Sequence, residues 1–159
     1  MIKNADITIF NLRVGADRRE KFFATKISGV FWYDTKGMSP SGNDRSKSEQ
    51  YIIRIPVDAV VEGGRTYISE EKYKKLSDEE AERHWTIQKG AYVAKEQYED
   101  AGKWKFDPFS FRNGVITEVS LEDLKSLRAL NEDFATITEY ADNTVRGTRV
   151  TQHWRIGGS

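Results

Sequence analysis

The chain begins with a pattern that is typical of a half-buried strand. Between residues 6 and 11, Ile7 and Ile9 fall on one face of an extended segment, and Thr8 and Phe10 fall on the other face. A hydrophobic period of two indicates a β-strand with one face against a core. We therefore predict that the fold starts with a strand.

Further strands are predicted wherever β-branched and aromatic residues are bounded by turn-forming ones. They comprise residues 22–33, 49–56, 84–88, 92–94, 115–119, 134–140 and 150–156. Gly29 lies inside the first of these, and an isolated glycine in a strand typically marks a bulge. The tight turn Lys89-Gly90-Ala91 predicts that segments 84–88 and 92–94 form a hairpin.

Two segments have helical patterns instead. Residues 68–84 are highly charged, and Ser77 followed by Glu80 matches a capping box, which predicts a short helix inside a charged helical insertion. In residues 120–130 leucines recur at the spacing of one helix face, so this helix should pack on the sheet. These leucines are Leu121, Leu124, Leu127 and Leu130.

Residues 36–48 form a long polar segment in which Met38 is the single strongly apolar residue. Such a segment buries too little apolar surface to order itself, so we predict a flexible loop. Met38 is a candidate apolar anchor for a partner. The basic residues Lys36, Arg45 and Lys47 are candidate contacts to a partner or to DNA in a channel, although Asp44 and Glu49 offset their charge.

The fold class expected from this order is mostly β, a small antiparallel β-barrel or sandwich with two short helices and one long flexible loop. A chain of 159 residues suits a single domain spanning 1–159. Its hydrophobic content is 38% and its charged content 31%, with 19 aromatic residues among Trp, Tyr and Phe. These values favour a thin, aromatic-rich core over the thick core of a large enzyme.

Charge and cysteine content exclude several function classes. The 25 basic residues balance the 25 acidic ones, whereas dedicated nucleic-acid binders carry a basic excess. The chain has no cysteine, which excludes disulfides, thiolate nucleophiles and Cys-ligated zinc. No apolar run approaches the length of a membrane span and no secretory leader is visible, so we expect a soluble protein made in the cytoplasm.

Catalytic signatures are also missing from the sequence. It contains no phosphate-binding loop, dinucleotide-binding glycine run, His-Glu-x-x-His or Gly-x-Ser-x-Gly motif. His84 near Glu79, Glu80 and Glu82 leaves open a metal site, and the acids of residues 77–83 leave open a paired-carboxylate hydrolase site. Because lysines and Arg83 are interleaved with these acids, a solvated face is the favoured interpretation. We expect no enzyme, metal or cofactor.

Five short motifs, taken in order, resemble a known family. They are Asp6–Asn11, Gly29–Tyr33, Ile53–Pro56, Trp85–Gly90 and His153–Gly158. Together they are similar to small structural proteins of tailed bacteriophages and of prophages of Gram-positive bacteria, whose genes lie among the head-to-tail joining components. Residues 68–83 and 96–113 look longer than the core pattern of that family requires.

The resemblance implies a place in the virion, at the head-tail junction, after assembly in the host cytoplasm. It implies a head-closure protein that forms a hexameric or dodecameric ring, contacts the portal connector and a tail terminator or tail-tube protein, and retains packaged DNA. A tail terminator or tail-tube-associated subunit is the alternative within assembly proteins. A non-catalytic binding module is the alternative from another class.

The C-terminal motif contains two candidate interface residues, Trp154 and Arg155. Aromatic residues and arginine are enriched where proteins associate. Burial of Trp154 in the core is the competing interpretation, because large aromatic side chains usually anchor small β cores.

Overall fold

A computed structural model describes residues 3–14, 20–34, 51–95, 98–99, 103–104, 118–130, 133–145, 147–148 and 151–159. Twelve strand segments lie in these ranges. They are β1 (Ala5–Val14), β2 (Glu20–Asp34), β3 (Tyr51–Pro56), β4 (Val60–Val61), β5 (Thr66–Tyr67), β6 (His84–Trp85), β7 (Tyr92–Lys95), β8 (Tyr98–Glu99), β9 (Lys103–Trp104), β10 (Glu118–Ser120), β11 (Phe134–Asn143) and β12 (His153–Gly158). The helices of the same ranges are α1 (Glu70–Lys74), α2 (Asp78–Ala81) and α3 (Leu121–Leu130), with a 3-10 turn at Glu62–Gly64.

Six of the strands close into a ring. The order β1-β7-β11-β12-β3-β2 returns to β1, because β2 pairs with both β3 and β1. Every pairing in this ring is antiparallel. A closed ring leaves no unpaired sheet edge among these six strands. The predicted class, mostly β and antiparallel, is confirmed, and its form is a small barrel.

The barrel interior is filled by apolar side chains. Ile7 and Ile9 point inward from β1, and the inward rows of the other strands complete one buried cluster. Its large aromatic and aliphatic members are Ile7, Ile9, Ile27, Trp32, Tyr51, Ile53, Ile55, Trp85, Ile87, Val93, Ile137 and Ile156. A filled interior places any binding function of the barrel on its outer surface or at its ends.

Helix α3 covers the outer face of the barrel. Leu124 is buried in a second cluster with Phe10 and Phe22, which point away from the interior. The prediction that residues 120–130 form a helix packed on the sheet is confirmed. Leu121 packs at the edge of this cluster, whereas the side chains of Leu127 and Leu130 lie outside the described residues.

The charged segment 68–84 caps one end of the barrel. Tyr73 of α1 and Ala81 of α2 are fully buried against Phe23 of β2. The predicted capping box is present, since Ser77 Oγ accepts from the Glu80 amide and the Glu80 carboxylate accepts from the Ser77 amide. This segment is therefore part of the core. We call residues 68–84 the cap.

Two side-chain amides, one on β1 and one in the segment that follows the cap, connect that segment to β1. The Asn11 amide donates to the Thr86 carbonyl at 2.7 Å and accepts from the Thr86 amide at 3.2 Å. The Gln88 side chain makes the equivalent pair of bonds with the Leu12 backbone. Side-chain amides thus satisfy the backbone groups of Thr86 and of Leu12, in place of a strand-to-strand pairing between these segments.

This arrangement corrects the predicted hairpin. Segment 84–88 does not pair with segment 92–94; β6 pairs in parallel with β5, and β7 pairs with β1 and β11. A turn does form at Gly90, where φ is +85° and the Ala91 amide donates to the Gln88 carbonyl. The hairpin fails because residues 86–87 cross the barrel end and place Ile87 in the core.

Two glycines have specific roles in the strands, one at a bulge and one at a close approach between strands. Gly29 has φ +83° and lies at the register shift opposite Ala5 and Asp6, so the predicted bulge is confirmed. Gly158 is part of β12, whereas we predicted that the last strand ends at Ile156. A Cβ at Gly158 would lie 2.8 Å from the Thr136 carbonyl oxygen, so β12 and β11 approach too closely there for a side chain.

Candidate functional site

The predicted functional residues fall in two groups. Lys36, Met38, Arg45 and Lys47, with the whole loop 36–48, lie outside the described residues. Trp154 and Arg155 lie on β12, which β11 and β3 flank on its two sides. Because side chains alternate along a strand, these two residues point to opposite faces of the sheet.

Trp154 belongs to a three-ring aromatic cluster. Its ring centroid lies 4.9 Å from that of Tyr67 and 5.1 Å from that of Trp85, and the Tyr67 and Trp85 centroids are also 5.1 Å apart. The parallel pairing of β5 with β6 places Tyr67 directly opposite Trp85. Trp154 is half-buried and packs against the barrel core, while its role at an interface stays a prediction.

A pocket of about 580 Å³ opens beside this aromatic cluster, and its volume lies in the range of ligand and peptide sites. We call it the aromatic pocket. It is lined by Ile55, Pro56, Val57, Ala59, Val61, Gly64, Arg65, Thr66, Tyr67, Trp85, Thr144 and Trp154. The lining reaches the barrel core at Ile55 and Trp85, so the floor of the pocket is rigid.

Arg65 is the single charged residue in the lining, and only 7% of its surface is exposed. Its Nε donates to the Glu82 carbonyl at 2.9 Å and its Nη1 to the Glu62 carbonyl at 2.8 Å. Burial lowers the pKa of Arg65 from its ordinary value, while the nearby carboxylates of Glu62 and Glu82 act in the opposite direction. Arginine remains a cation at neutral pH even so.

The backbone beside Arg65 is shaped to admit the guanidinium. Gly63 has φ +77°, and a Cβ there would lie 3.2 Å from Nη1 of Arg65. Any larger residue at position 63 would combine an unfavourable backbone conformation with a crowded contact. Gly63 therefore sets the position of the buried cation.

Tyr67 presents a phenol that stays neutral. Burial, followed by the fields of Asp142 and Glu70, raises the pKa of Tyr67 to about 12. The neighbouring Tyr140 has a raised pKa as well, due to burial and to the bond of 2.8 Å that its hydroxyl donates to Glu70. Both hydroxyls are consequently hydrogen-bond donors across the physiological range.

One donor beside the aromatic pocket lacks an acceptor. Trp154 Nε1 is buried and has no hydrogen-bond partner among the described residues, although buried polar groups normally find partners. The sequence pattern did not point to Arg65 or Tyr67, because neither lies in a recognisable motif.

Arg155 has a different environment on the other face of β12. Its Nη1 lies 3.2 Å from Glu139 Oε1 across the β11–β12 pair, and the Glu139 side chain is about half exposed. Ion pairs of this kind contribute little to stability because water screens them. Trp154 and Arg155, predicted together as an interface, are therefore not brought together in one site.

The histidines take part in local hydrogen bonds. His84 Nδ1 lies 2.9 Å from Thr66 Oγ1, and His153 Nδ1 lies 2.8 Å from the Thr151 carbonyl oxygen. In the part of the chain that the structure describes, no three His, Asp or Glu side chains are grouped as metal ligands. Nor is any helix there long and apolar enough to cross a membrane.

A second charged group joins the cap to the barrel. Asp78, at the start of α2, accepts from Arg13 Nε at 3.1 Å and also pairs with Lys21 of β2. The hydrogen bond from Lys21 lowers the pKa of Asp78 most, burial acts in the opposite direction, and the hydrogen bond from Arg13 lowers the pKa further. Asp78 is one of the acids considered in residues 77–83, whereas no sequence motif pointed to Arg13 or Lys21.

Asp78→Asn should lower the free energy of unfolding by about 1 kcal/mol at neutral pH, after allowance for solvent screening of a half-exposed carboxylate. Because the folded pKa lies below the unfolded one, this stability is present above the unfolded value, near pH 4, and is lost as the pH falls through the folded pKa. Urea unfolding at a series of pH values measures it.

Asp58→Asn is the matched control for this change. Asp58 pairs with Lys3 at 3.4 Å and both side chains are about half exposed, so its loss should have almost no effect. Equal effects of the two substitutions at neutral pH would contradict a special role for Asp78 in holding the cap.

Comparison with models of protein families finds a match over nearly the whole chain. A family model described as "Family of unknown function (DUF6751)" covers residues 2–159, the whole length of the barrel and its cap. No curated protein matches the chain, and no solved structure does either. The match extends over nearly every residue, so the chain belongs to this family of unknown function, DUF6751.

Proposed function

We propose that this chain is a structural subunit of a tailed-phage virion neck, a ring-forming head-closure protein that links the portal connector to the tail and retains packaged DNA. The proposal combines the motif resemblance with the barrel. Four of the five motifs lie on β1, β2, β3 and β12, which are consecutive neighbours in the ring of strands. The fifth, Trp85–Gly90, crosses the end of the barrel.

This clustering is the observation that carries the proposal. Motifs far apart in sequence form one contiguous wall, so the resemblance concerns a three-dimensional unit and not five unrelated strands. A filled barrel is a rigid building block, and its functional surfaces lie outside the core. Such a block suits a subunit that packs against copies of itself in a closed ring.

The loop 36–48 enters the proposal as the segment that docks onto a neighbour or onto channel DNA. It lies between β2, which ends at Asp34, and β3, which begins at Tyr51. A segment ordered only on docking gives a regulated contact at the cost of its ordering entropy. Its candidate contacts remain Lys36, Met38, Arg45 and Lys47.

Native mass measurement tests the ring. We expect the purified chain, alone or mixed with the products of neighbouring genes, to form one closed species of six or twelve copies. A chain that stays monomeric with every one of these products would contradict the proposal and favour the non-catalytic binding module. The control is the same measurement on the Asp58→Asn variant, whose exposed pair should not affect assembly.

Sedimentation of particles from cells lacking the gene separates the two assembly roles. Loss of a head-closure protein should give tail-less heads that have lost DNA, and added protein should bind to those heads. If added protein binds to free tails instead, the tail terminator or tail-tube-associated role is correct. Normal tailed particles without the gene would refute both.

A further inference from the structure

We propose that the aromatic pocket binds a lysine side chain of a partner polypeptide, with the ammonium group beside Trp154 and Asp142 and the aliphatic stem along the apolar wall. The groups that form the site are the rings of Trp154 and Tyr67, the carboxylate of Asp142 and the apolar side chains of Ile55 and Val61. This inference does not depend on ring formation, so its failure and the failure of the neck proposal are distinguishable.

Acidic side chains dominate the charge at the Tyr67 end of the pocket. Burial is the largest cause of the raised pKa of the Tyr67 phenol, and the two charged groups that raise it further are the carboxylates of Asp142 and Glu70. A cation placed at this end would be attracted by both carboxylates, whereas an anion would be repelled. Charge complementarity therefore favours a cationic ligand group.

Asp142 is placed at the border of the pocket by its register and by Thr144. In the antiparallel pair of β11 and β12, Asp142 lies directly opposite Trp154, and residues paired in this way share one face of the sheet. Asp142 Oδ1 accepts from the amide of the lining residue Thr144 at 2.9 Å and from the Thr144 hydroxyl. Within the described residues Oδ2 accepts no hydrogen bond, so this oxygen can accept from a ligand.

The aromatic rings supply a second attraction for a cation. Trp154 Nε1 is buried while Trp154 lines the pocket, so ring carbons are the part of the indole that faces the ligand. The centroid of the Tyr67 ring lies 4.9 Å from that of Trp154, with an angle of 45° between the planes. A cation within about 6 Å of an aromatic face is attracted to it, most strongly for tryptophan. An ammonium at this end of the pocket combines this attraction with that of Asp142.

Arg65, the single charged residue of the lining, does not oppose this arrangement. It is only 7% exposed, and its guanidinium donates to the carbonyls of Glu62 and Glu82. The carboxylates of the same two residues act on its pKa against the larger effect of burial. The charge of Arg65 is therefore compensated by its own neighbours, which leaves the carboxylates at the Tyr67 end for a ligand.

The shape and chemistry of the pocket match lysine better than arginine. Ile55, Ala59 and Val61 line one wall, which is rigid because these side chains belong to the barrel core or pack on it. Lysine buries its aliphatic stem along such a surface and keeps its ammonium near polar groups. Arginine binds a carboxylate best through two parallel hydrogen bonds, but Thr144 already occupies one oxygen of Asp142. A point charge fits the other oxygen.

The border of the pocket favours a polypeptide over a free amine. Val145 follows the lining residue Thr144 and is 79% exposed, and Val60 stands between the lining residues Ala59 and Val61 and is 68% exposed. Exposed apolar side chains around a concave site are typical of surfaces that bind partner proteins. A small amine would fill the pocket and leave this border uncovered.

A peptide titration tests the proposal on the full chain. The probe is the acetylated and amidated peptide Leu-Lys-Phe-Leu, compared with the same peptide carrying norleucine or glutamate in place of lysine and with n-butylammonium. Calorimetry and tryptophan fluorescence measure binding. We expect the lysine peptide to bind about tenfold more tightly than its uncharged norleucine counterpart, because only the ammonium gains the ion pair and the aromatic attraction. The glutamate peptide and n-butylammonium should bind more weakly than the lysine peptide.

Two substitutions connect the binding to the pocket. Asp142→Asn removes the charge but keeps an oxygen that accepts from Thr144, and Trp154→Leu removes the ring but keeps an apolar side chain. Each should weaken the lysine peptide about five- to tenfold, and Asp142→Asn should leave the affinity for the norleucine peptide unchanged. Glu139→Gln is the matched control for the charge, because Glu139 lies on the same strand but on the opposite face, where it pairs with Arg155. It should not change either affinity.

Each other outcome overturns the proposal. Equal affinity for the lysine and norleucine peptides would remove the cation, and equal affinity for n-butylammonium would identify a small-amine site. Absence of binding by every probe would remove the site. An oligomer of the chain that Asp142→Asn dissociates would make a second copy of this chain the occupant. Should Trp154→Leu unfold in a thermal melt, Asp142→Asn decides alone, and an affinity unchanged by it would place binding elsewhere.

Discussion

Trp85→Ala is expected to lower the free energy of unfolding by about 3–5 kcal/mol, the loss typical of removing a large aromatic side chain from a core. Trp85 is only 1% exposed and belongs to the barrel cluster. It also contacts both Tyr67 and Trp154. Its removal would open a cavity at the junction of barrel, cap and aromatic pocket. Equilibrium urea unfolding measures the change.

Trp85→Phe is the control, because it keeps an aromatic ring and should cost only about 1–2 kcal/mol, well below the alanine effect. Since small domains have only about 5–15 kcal/mol of total stability, the alanine variant should also be visibly depleted in soluble expression. A loss below about 1 kcal/mol would show that the surrounding side chains close the cavity and that the barrel end does not depend on Trp85.

Arg13→Met should be nearly as damaging, with a loss of about 3 kcal/mol, because it leaves buried acceptors without a donor. Arg13 is 8% exposed. Its guanidinium donates to the Tyr73 carbonyl at 2.8 Å, to the Leu76 carbonyl and to Asp78. Methionine preserves the apolar stem but none of these bonds, so α1 and α2 should detach from the barrel first.

Urea unfolding measures the size of this effect, and hydrogen exchange shows where in the structure it occurs. Amides of α1 and α2 should exchange faster in Arg13→Met, while those of β3 and β12 keep their protection relative to global unfolding. Arg155→Met is the matched control, since Arg155 pairs with the half-exposed Glu139. It should change stability by less than about 1 kcal/mol. Equal losses in the two variants would contradict the role given to Arg13.

Local pattern was sufficient for the longer strands and for two helix starts, whereas the two-residue strands β4, β5, β8 and β9 were not predicted. The alternation in residues 6–11, the apolar run in residues 22–33 and the Ser77 capping box each depend on neighbours in sequence, and the structure confirms all three. The Gly29 bulge belongs with them, because a glycine inside a strand has few other uses. Antiparallel β class followed from these elements and the short connections between them.

The cap shows where local pattern fails. Its sequence is charged and its apolar residues are few, so it looked like a decoration outside the core. Yet Tyr73 and Ala81 are fully buried, because Arg13 and Asp78 attach the cap with polar bonds that hydrophobic periodicity cannot register. The wrong hairpin has the same origin, since Asn11 supplies partners for Thr86 from 75 residues away.

The candidate site was only partly predictable for the same reason. Trp154 stood out as an aromatic residue in a terminal motif, but Arg65 and Tyr67 meet it only because β5, β6 and β12 converge at one end of the barrel. Arg155 stood beside Trp154 in sequence and is turned away from it by the pleat of β12. Two residues that are adjacent in sequence therefore lie on opposite faces of the sheet.

By itself the sequence determined the β class, the positions of the principal strands, the absence of cysteine chemistry and the balanced charge, because each depends on composition or on neighbouring residues. Only the tertiary structure decided the closure of the ring, the role of the cap and the assembly of the aromatic pocket. These depend on contacts between segments that are distant in sequence. A few polar side chains favour one of several strand pairings that the hydrophobic pattern alone leaves equivalent.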